Sequence, residues 1–256
     1  MCRICWRCPD RDERYAATYP DRRREELSQT QLVRHVDLLN QAGVVLYSQL
    51  TADTADTAIQ QQIAFFQSID QDFEWKVYAH DQPADLVKRL AAHGFEIDPP
   101  EAILVLDLAL PWAFDAIHSV RRLLRPSELR DIAHIRQLTD AEDQQQRVDR
   151  LAYEMAHAPE SISVYVVYVN NTPAACAWVR FPPQSGFAGL WGGTTVPNLR
   201  NRGLYTALLH ARIHEAQRRH YRYLTVDAGP MSQPILEKHG FQLLTHATAC
   251  TWSAPT

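Results

Sequence analysis

The chain has 256 residues and a mass of 29.3 kDa, with 26 basic and 30 acidic residues and a net charge of −4. That balance argues against a general nucleic-acid binder, which carries net positive charge or a basic stripe. No apolar run approaches the roughly 20 residues that cross a bilayer, and the first residues lack the apolar core of a signal peptide. Five cysteines without a secretion signal predict reduced thiols. We expect a cytoplasmic globular protein that binds neither nucleic acid nor membrane.

Residues 1–26 form a charged head with few apolar side chains, which predicts a flexible tail or a loose helix. Within this head, Cys2, Cys5 and Cys8 have a spacing that invites a zinc or iron–sulfur interpretation. Three ligands are too few for a closed site, and no fourth ligand lies nearby in the sequence. We therefore expect an unstructured head and no metal.

Residues 27–112 predict a first structured unit. Leu32, Val36 and Leu39 recur at helical spacing. The elements that follow are a strand at 44–47, a helix around 59–66, a strand at 73–78, a helix at 85–92 and a strand at 103–108. This order predicts an α/β unit.

After a linker near 111–117, residues 117–256 predict a second unit. Its elements are strands at 118–124, 162–169, 173–181, 187–196, 221–226 and 241–252, with helices from 127, at 144–158, from 204 and at 233–239. The order of strand, loop, helix, Gly-Phe and strand occurs at 73–95 and again at 221–241, which favours duplication of one unit. The chain is therefore expected to be α/β (α+β), with hairpins at the centre of its second unit.

The segment 193–206 joins a strand to an amphipathic helix through a loop that contains Gly203 and two arginines, Arg200 and Arg202. The first backbone N–H groups of a helix have no intrahelical partner, and the helix dipole adds positive charge there. A glycine lets phosphate oxygens approach the backbone, so a pyrophosphate fits such a turn. An ordinary surface turn has a similar composition, and the loop alone does not separate the two interpretations.

This segment, with its neighbours, resembles the GNAT N-acetyltransferase superfamily. The family signature R/Q-x-x-G-x-G/A, after a strand that often ends Val-x-Pro, is matched by Arg200, Gly203 and Pro197, and the later LYEKLGF segment is matched by residues 235–241. Tyr205 departs from the pattern, since the family has Gly or Ala there. The resemblance covers roughly 117–256. It implies a central mixed, mostly antiparallel sheet flanked by helices, with a smaller GNAT-like unit preceding it.

The resemblance implies an acyl-CoA-dependent N-acyltransferase that moves acetyl from acetyl-CoA, a co-substrate, to an amine by direct attack without a metal. By position, the strand residues contact pantetheine and the loop amides hold the pyrophosphate. The implied cofactor-binding residues are Gly193, Thr194, Thr195, Val196, Arg200, Asn201, Arg202, Gly203, Leu204, Tyr205 and Thr206. The family also separates the strand at 194–196 from the strand at 225–227, which makes room for the thioester.

Two catalytic residues that many relatives carry are absent. Leu236 occupies the position where many relatives have a tyrosine that acts as a general acid. Residues 190–193 lack the glutamate that often serves as a general base. The nearest polar candidates are Tyr205, Asp227 and Ser232, although Asp227 is also suited to capping a turn. A catalytically inactive CoA-binding regulator is therefore kept as an alternative.

The acceptor is expected to be a small-molecule or peptide amine, and the chain a monomer or a homodimer. Trp178, Trp191, Tyr165 and Phe181 are candidates for lining the acceptor pocket, but core packing is favoured for them. The first unit is expected not to bind the coenzyme, since residues 51–57 place two acidic residues where the second unit has its basic, glycine-bearing loop. His210 and His214 lack the spacing of a metalloprotease helix, and Cys176 has no recognisable base, so neither is expected to be catalytic.

Overall fold

A computed structural model describes residues 18–28, 31–39, 42–111, 117–139, 144–183 and 185–254. The chain forms two compact units. The first comprises Met1–Ile103, Ala228–Gln233 and Leu243–Thr256, and the second comprises Leu104–Asp227 and Pro234–Gln242. The last strand therefore belongs to the first unit, whereas the boundaries expected from the sequence assign it to the second.

The secondary structure is mixed throughout the described residues. The elements up to residue 107 are β1 (Arg22–Leu27), β2 (Leu32–Asp37), β3 (Ala42–Ser48), α1 (Ala55–Ser68), β4 (Asp72–Tyr78), α2 (Leu86–Ala92), β5 (Glu96–Ile97) and β6 (Glu101–Asp107). The later elements are β7 (Val120–Leu123), α3 (Arg130–Gln137), α4 (Gln144–His157), β8 (Ile162–Val169), β9 (Thr172–Arg180), β10 (Phe187–Thr195), α5 (Leu204–Arg218), β11 (Tyr223–Ala228), α6 (Gln233–Lys238) and β12 (Gln242–Trp252). None of the described helices has the length and apolar character needed to span a membrane.

The first unit is built on strands in the order β1-β2-β3-β4-β12, with β5 paired to β12. Its neighbouring strands are antiparallel except β3 and β4, which are parallel and joined through α1. Helix α1 presents apolar side chains at helical spacing, and Ile59 and Phe66 are fully buried. They share one core with Phe73 of β4 and Trp252 of β12.

Two expectations for the start of the chain need correction. Leu32 and Val36 lie in the strand β2, and the helix predicted from their spacing is absent. All six residues of β2 are buried, so the strand lacks the polar–apolar alternation that would have identified it. Arg22 to Glu26 of the predicted flexible head lie in β1, which pairs antiparallel with β2. Residues 1–17, with the three head cysteines, lie outside the described residues.

The second unit has strands in the order β11-β10-β9-β8-β7, antiparallel except for the pair β10 and β11. The turn between β8 and β9 is Asn170-Asn171, and both residues have positive φ, as a tight hairpin requires. Helices α3 and α4 supply Ile132, Ile135 and Leu151 to a core that also contains Trp178 of β9. The central hairpin predicted from the sequence is confirmed.

The sequence echo is also present in the structure. Each unit contains a parallel strand pair joined by a long helix, β3-α1-β4 in the first and β10-α5-β11 in the second. A short helix follows each pair, and the residue that ends the turn after it is a glycine with positive φ, Gly94 at 89° and Gly240 at 92°. The two units therefore share the order of these elements and a glycine with positive φ after the short helix.

Candidate active site

The parallel strands of the second unit separate along their length. Strand β10 pairs with β11 only from Phe187 to Gly189, and the last partner of Gly189 is Thr225. Beyond that point β10 continues to Thr195 along β9 alone. The backbone groups of β10 that face β11 are therefore not used in a strand ladder there. This agrees with the separation expected between 194–196 and 225–227, and it begins earlier in β10 than expected.

A β-bulge shapes β10 at this separation. Trp191 pairs with Trp178 and Thr194 with Cys176, so β10 has one extra residue between these pairs. Gly192 has a φ of 63°, and a Cβ there would lie 2.0 Å from the ring of Trp178. Both the backbone conformation and the packing therefore require glycine at this position.

The next residue, Gly193, faces α5 and not β9. A Cβ at Gly193 would lie 2.7 Å from the ring of Tyr205, in the first turn of α5. The bulge thus directs Gly192 toward β9 and Gly193 toward α5. As a result, no side chain from either glycine covers the backbone of β10 where the strands separate.

The loop after β10 is fixed by backbone conformation. A 3₁₀ turn at Pro197–Leu199 leads to Asn201, which has a φ of 61°, and to Gly203, which has a φ of 78° and precedes α5. A Cβ on Gly203 would have room, since the nearest atom, on Ile117, would be 3.7 Å away. Glycine is therefore favoured here by the left-handed backbone and not by crowding.

Two side chains hold this loop from outside. The Nε of Arg200 donates to the carbonyl of Thr195 at 3.3 Å. The Nε2 of His118 donates to the carbonyl of Arg202 at 2.7 Å. Because the C=O and N–H of a trans peptide point in opposite directions, the N–H of Gly203 faces away from His118. Sequence reasoning missed His118, which is 84 positions from its partner and has no local pattern.

The first turn of α5 is open to an anion. Gly203 provides no side-chain cap, and within the described residues the N–H groups of Leu204, Tyr205 and Thr206 have no hydrogen-bond acceptor. The first intrahelical bond runs from the N–H of Ala207 to the carbonyl of Gly203. No acidic residue lies in this turn. With Arg200 and Arg202 exposed beside it, the turn has the geometry and charge that suit a phosphate group.

Tyr205 is half-buried beneath this turn. Its ring packs against Gly193, and the guanidinium carbon of Arg212 lies 5.9 Å from its centroid. Arg212 is fully buried, and its Nε donates to the carbonyl of Leu208 at 3.1 Å. Burial lowers the pKa of Arg212, although the nearby Tyr205 opposes that shift. The tyrosine that departs from the sequence signature is therefore accommodated by the missing side chain of Gly193.

The other catalytic candidates are placed differently. Asp227 is half-buried near the end of β11 in the second unit. Ser232 belongs to the first unit, and its hydroxyl donates to the carbonyl of Gly229 at 3.2 Å. Leu236 is completely buried. The resemblance places it where many relatives have a tyrosine that acts as a general acid. Of the three candidates, Tyr205 packs against the predicted cofactor segment, through its ring and Gly193.

The aromatic candidates divide into two groups. Trp178, Tyr165 and Phe181 are buried, so core packing is the right interpretation for them. Tyr165 donates its hydroxyl to the buried carboxylate of Glu215, and burial together with that bond raises the pKa of Tyr165. Trp191 differs, because 36% of its surface is exposed.

His210, His214 and Cys176, which were considered for other chemistry, lie in the described part of the chain. The Nε2 atoms of His210 and His214 lie 3.2 Å apart, but no group of three or more metal-binding side chains occurs among the described residues. Cys176 is completely buried, and burial raises the pKa of its thiol to about 12. A thiol with that pKa is protonated at neutral pH and is a poor nucleophile.

The equivalent turn of the first unit carries an acidic side chain and contacts among its own residues. The N–H of Thr51 donates to Oγ1 of Thr54 at 2.9 Å, and Arg89 donates to the carbonyl of Ala52 at 3.0 Å. Asp56 lies in the first turn of α1 and accepts from Arg89. A carboxylate at this helix start repels phosphate. The acidic side chain favours the expectation that the first unit does not bind the coenzyme, whereas the absence of a side-chain cap is common to α1 and α5.

The chain is similar to known proteins in sequence and in fold. Residues 124–241 match the model of the Acetyltransferase (GNAT) family. No curated protein matches the chain. A GCN5-related N-acetyltransferase from Kribbella flavida is 16% identical with a TM-score of 0.68, and the match covers 90% of this chain and 89% of that chain. A tandem GNAT protein from the clavulanic acid biosynthesis pathway is 15% identical with a TM-score of 0.59, covering 94% and 86%.

A further solved structure, a putative acetyltransferase of the GNAT family from Novosphingobium aromaticivorans, is 17% identical with a TM-score of 0.55, covering 87% of this chain and 89% of that chain. Likenesses at this level of identity establish the fold, and they confirm the mixed sheet flanked by helices that the sequence predicts. The match to a tandem protein also supports the arrangement in two units. Residues 124–241 of this chain are a domain of the acetyltransferase (GNAT) family.

Proposed function

We propose that this chain is an acyl-CoA-dependent N-acyltransferase that transfers acetyl from acetyl-CoA to an amine by direct attack. The observation that carries the proposal is the uncapped first turn of α5 behind the left-handed Gly203. Backbone N–H groups converge there beside two exposed arginines, which is an arrangement that binds diphosphates. The family match of the same segment supports the proposal.

The residues present fit coenzyme A as a co-substrate. The amides from Asn201 to Thr206 would hold the diphosphate, with Arg200 and Arg202 adding charge. The backbone groups from Gly193 to Val196 that are not hydrogen-bonded to β9 would bind the pantetheine arm. The side-chain-free bulge at Gly192 and Gly193 leaves that backbone uncovered. The transfer needs no metal.

The chemistry places three demands on the chain. The attacking amine must be neutral, because an alkyl ammonium with a pKa of about 10.4 has no lone pair. The thioester oxygen needs a donor as it gains negative charge, and the N–H groups of β10 beyond Gly189 that pair with neither β9 nor β11 are suited to that task. The departing thiolate needs a proton, and we assign Tyr205, Asp227 and Ser232 as the residues to test for proton transfer. The acceptor is expected to be a small-molecule or peptide amine.

The direct test is an assay of thiol release from acetyl-CoA with a panel of amines. The proposal expects release above the buffer rate with at least one amine, together with a mass gain of one acetyl group on that amine. If no amine supports release while the folded protein is present at micromolar concentration, catalysis is refuted.

A second candidate, a CoA-binding regulator without catalytic activity, is favoured by one observation. Leu236 is fully buried in the core, so no side chain at that position takes the role of the missing tyrosine. Calorimetry distinguishes the two candidates: tight CoA binding without turnover supports the regulator, and binding with turnover supports the enzyme.

A further inference from the structure

His118 lies against the turn that precedes α5. A Cβ on Gly203 would be 4.0 Å from Cδ2 of its ring, and 3.7 Å from the side chain of the preceding residue, Ile117. The Nε2 of His118 is also 2.7 Å from the carbonyl oxygen of Arg202. A carbonyl oxygen only accepts, so the ring is the donor. A hydrogen bond and a packing contact therefore both place His118 on one side of this loop, within the second unit.

The hydrogen bond acts on a single peptide group, the one between Arg202 and Gly203. Glycine adopts positive and negative φ about equally well, so Gly203, with a φ of 78°, does not by itself fix the direction of its N–H. The carbonyl of Gly203 is held by the N–H of Ala207 in α5. His118 holds the peptide on the other side of the same glycine. Both peptides that flank Gly203 are therefore restrained.

This restraint prepares the N–H of Gly203 for an anion in two ways. With the carbonyl of Arg202 turned toward His118, the N–H of the same trans peptide is turned away from it. A hydrogen bond to the carbonyl also polarises the peptide, which makes its N–H a stronger donor. A donor that is already directed loses little conformational freedom when a ligand binds. The peptide is thus pre-organised before any ligand arrives.

We propose that His118 is a positioning residue of the coenzyme site, which orients the peptide of Arg202 and Gly203 so that the N–H of Gly203 donates to the diphosphate. This inference rests on the proposed function, because the diphosphate is that of CoA. His118 acts through the peptide and takes no part in proton transfer. It therefore strengthens coenzyme binding and leaves the chemical step unchanged.

The test is calorimetric titration of CoA into wild-type protein, His118→Ala and His118→Gln. His118→Ala is expected to raise the dissociation constant about fivefold, which is the size of one net hydrogen bond. His118→Gln keeps an N–H donor at the end of a side chain of similar reach, and it should restore most of the affinity. His157→Ala is the matched control. The Nδ1 of His157 donates to the carbonyl of Tyr153 at 2.9 Å, so this variant loses the same kind of bond from α4 and should bind CoA as wild-type protein does.

Amide NMR with CoA separates positioning from a general structural role. In His118→Ala the CoA-induced shift should decrease for Gly203 and persist for Leu204, Tyr205 and Thr206, whereas a general disruption of the loop would reduce all four. Equal dissociation constants in wild-type protein and His118→Ala, or a loss of affinity that His118→Gln does not restore, overturn the inference while CoA binding by wild-type protein leaves the proposed function standing. Absence of CoA binding in wild-type protein overturns both. If His118→Ala does not fold, His118→Phe, which keeps a ring without a donor, takes its place under the same criteria.

Discussion

Two glycines with nearly the same backbone make the role of the cofactor loop testable at single positions. Gly203 and Gly94 both have strongly positive φ, at 78° and 89°, and neither has a crowded Cβ position. Gly203 precedes the open first turn of α5, whereas Gly94 ends the turn after α2 in the first unit. A side chain at either position meets the same backbone strain, and one at Gly203 alone would also meet the proposed ligand.

Gly203→Glu is therefore expected to remove CoA binding, because its carboxylate would repel the diphosphate. In wild-type protein, CoA at 100 times its dissociation constant should add about 2.7 kcal/mol of stability. The measurement is the shift of the thermal midpoint on adding CoA. Gly94→Glu is the matched control and should keep the full shift. An equal CoA-induced shift in Gly203→Glu would contradict the assignment of this turn.

His35 is a second residue whose chemistry follows from its surroundings. It is completely buried in β2, and within the described residues neither ring nitrogen has a hydrogen-bond partner. Burial lowers its pKa to about 4, and the charges of Arg22 and Arg24 on β1 act in the same direction. The folded state thus keeps this ring neutral at a pH where the unfolded chain protonates it.

The pH dependence of stability follows from that difference. Between about pH 6.5 and pH 4 the unfolded state binds the proton and the folded state does not, so stability falls as the pH decreases through this range, by about 3 kcal/mol. His35→Leu should lack this component. Urea unfolding at pH 7.0, 5.5 and 4.5 measures it, with the wild-type and variant curves compared at each pH. Parallel pH profiles for the two proteins would contradict the assignment.

At the scale of elements, the sequence predicts what depends on local pattern. The helix α5, its loop and the hairpin at Asn170 are specified by apolar spacing, glycine and turn residues that are close in sequence, and the structure confirms them. The spacing of Leu32 and Val36 predicts a helix where strand β2 lies, because burial on both faces removes the alternation that identifies a strand. The bond from His118 to Arg202 and the exposure of Trp191 depend on residues distant in sequence, so no local pattern could indicate them.

The bulge in β10 is the element whose disruption should be most costly. Alanine at Gly192 would need a positive φ and would place its Cβ 2.0 Å from the buried ring of Trp178. Gly192→Ala is expected to lower the free energy of unfolding by about 3 kcal/mol. Urea denaturation measures this change. Gly186→Ala, where the nearest atom is 3.9 Å from the new Cβ, should change stability by less than about 0.5 kcal/mol. Equal effects of the two substitutions would show that the bulge is not constrained as described.

At the scale of the whole molecule, the first unit is completed by the last strand of the chain. Strand β12 pairs with β4 over six residues, from Ala247 opposite Tyr78 to Trp252 opposite Phe73. Cys250 and Trp252 are buried in the core of that unit. The unit therefore depends on residues distant in sequence, which a linear division of the chain into two domains does not capture.

A fragment of residues 1–111 should consequently fail to fold cooperatively, because it lacks β12. Near-ultraviolet circular dichroism during heating is the measurement, and the fragment is expected to show no sharp transition. The same fragment with residues 242–254 attached through a Gly/Ser linker should regain one. A cooperative transition in the short fragment alone would show that β12 is dispensable for the first unit.

The central claim is that the second unit binds a diphosphate at the start of α5 and the first unit does not bind one at the start of α1. Backbone amide NMR during a titration with CoA tests both halves of this claim in one sample. The account predicts saturable shifts for the amides of residues 201–206 and none for those of residues 51–56. Shifts at residues 51–56, or an unperturbed 201–206 segment while CoA binds, would contradict it.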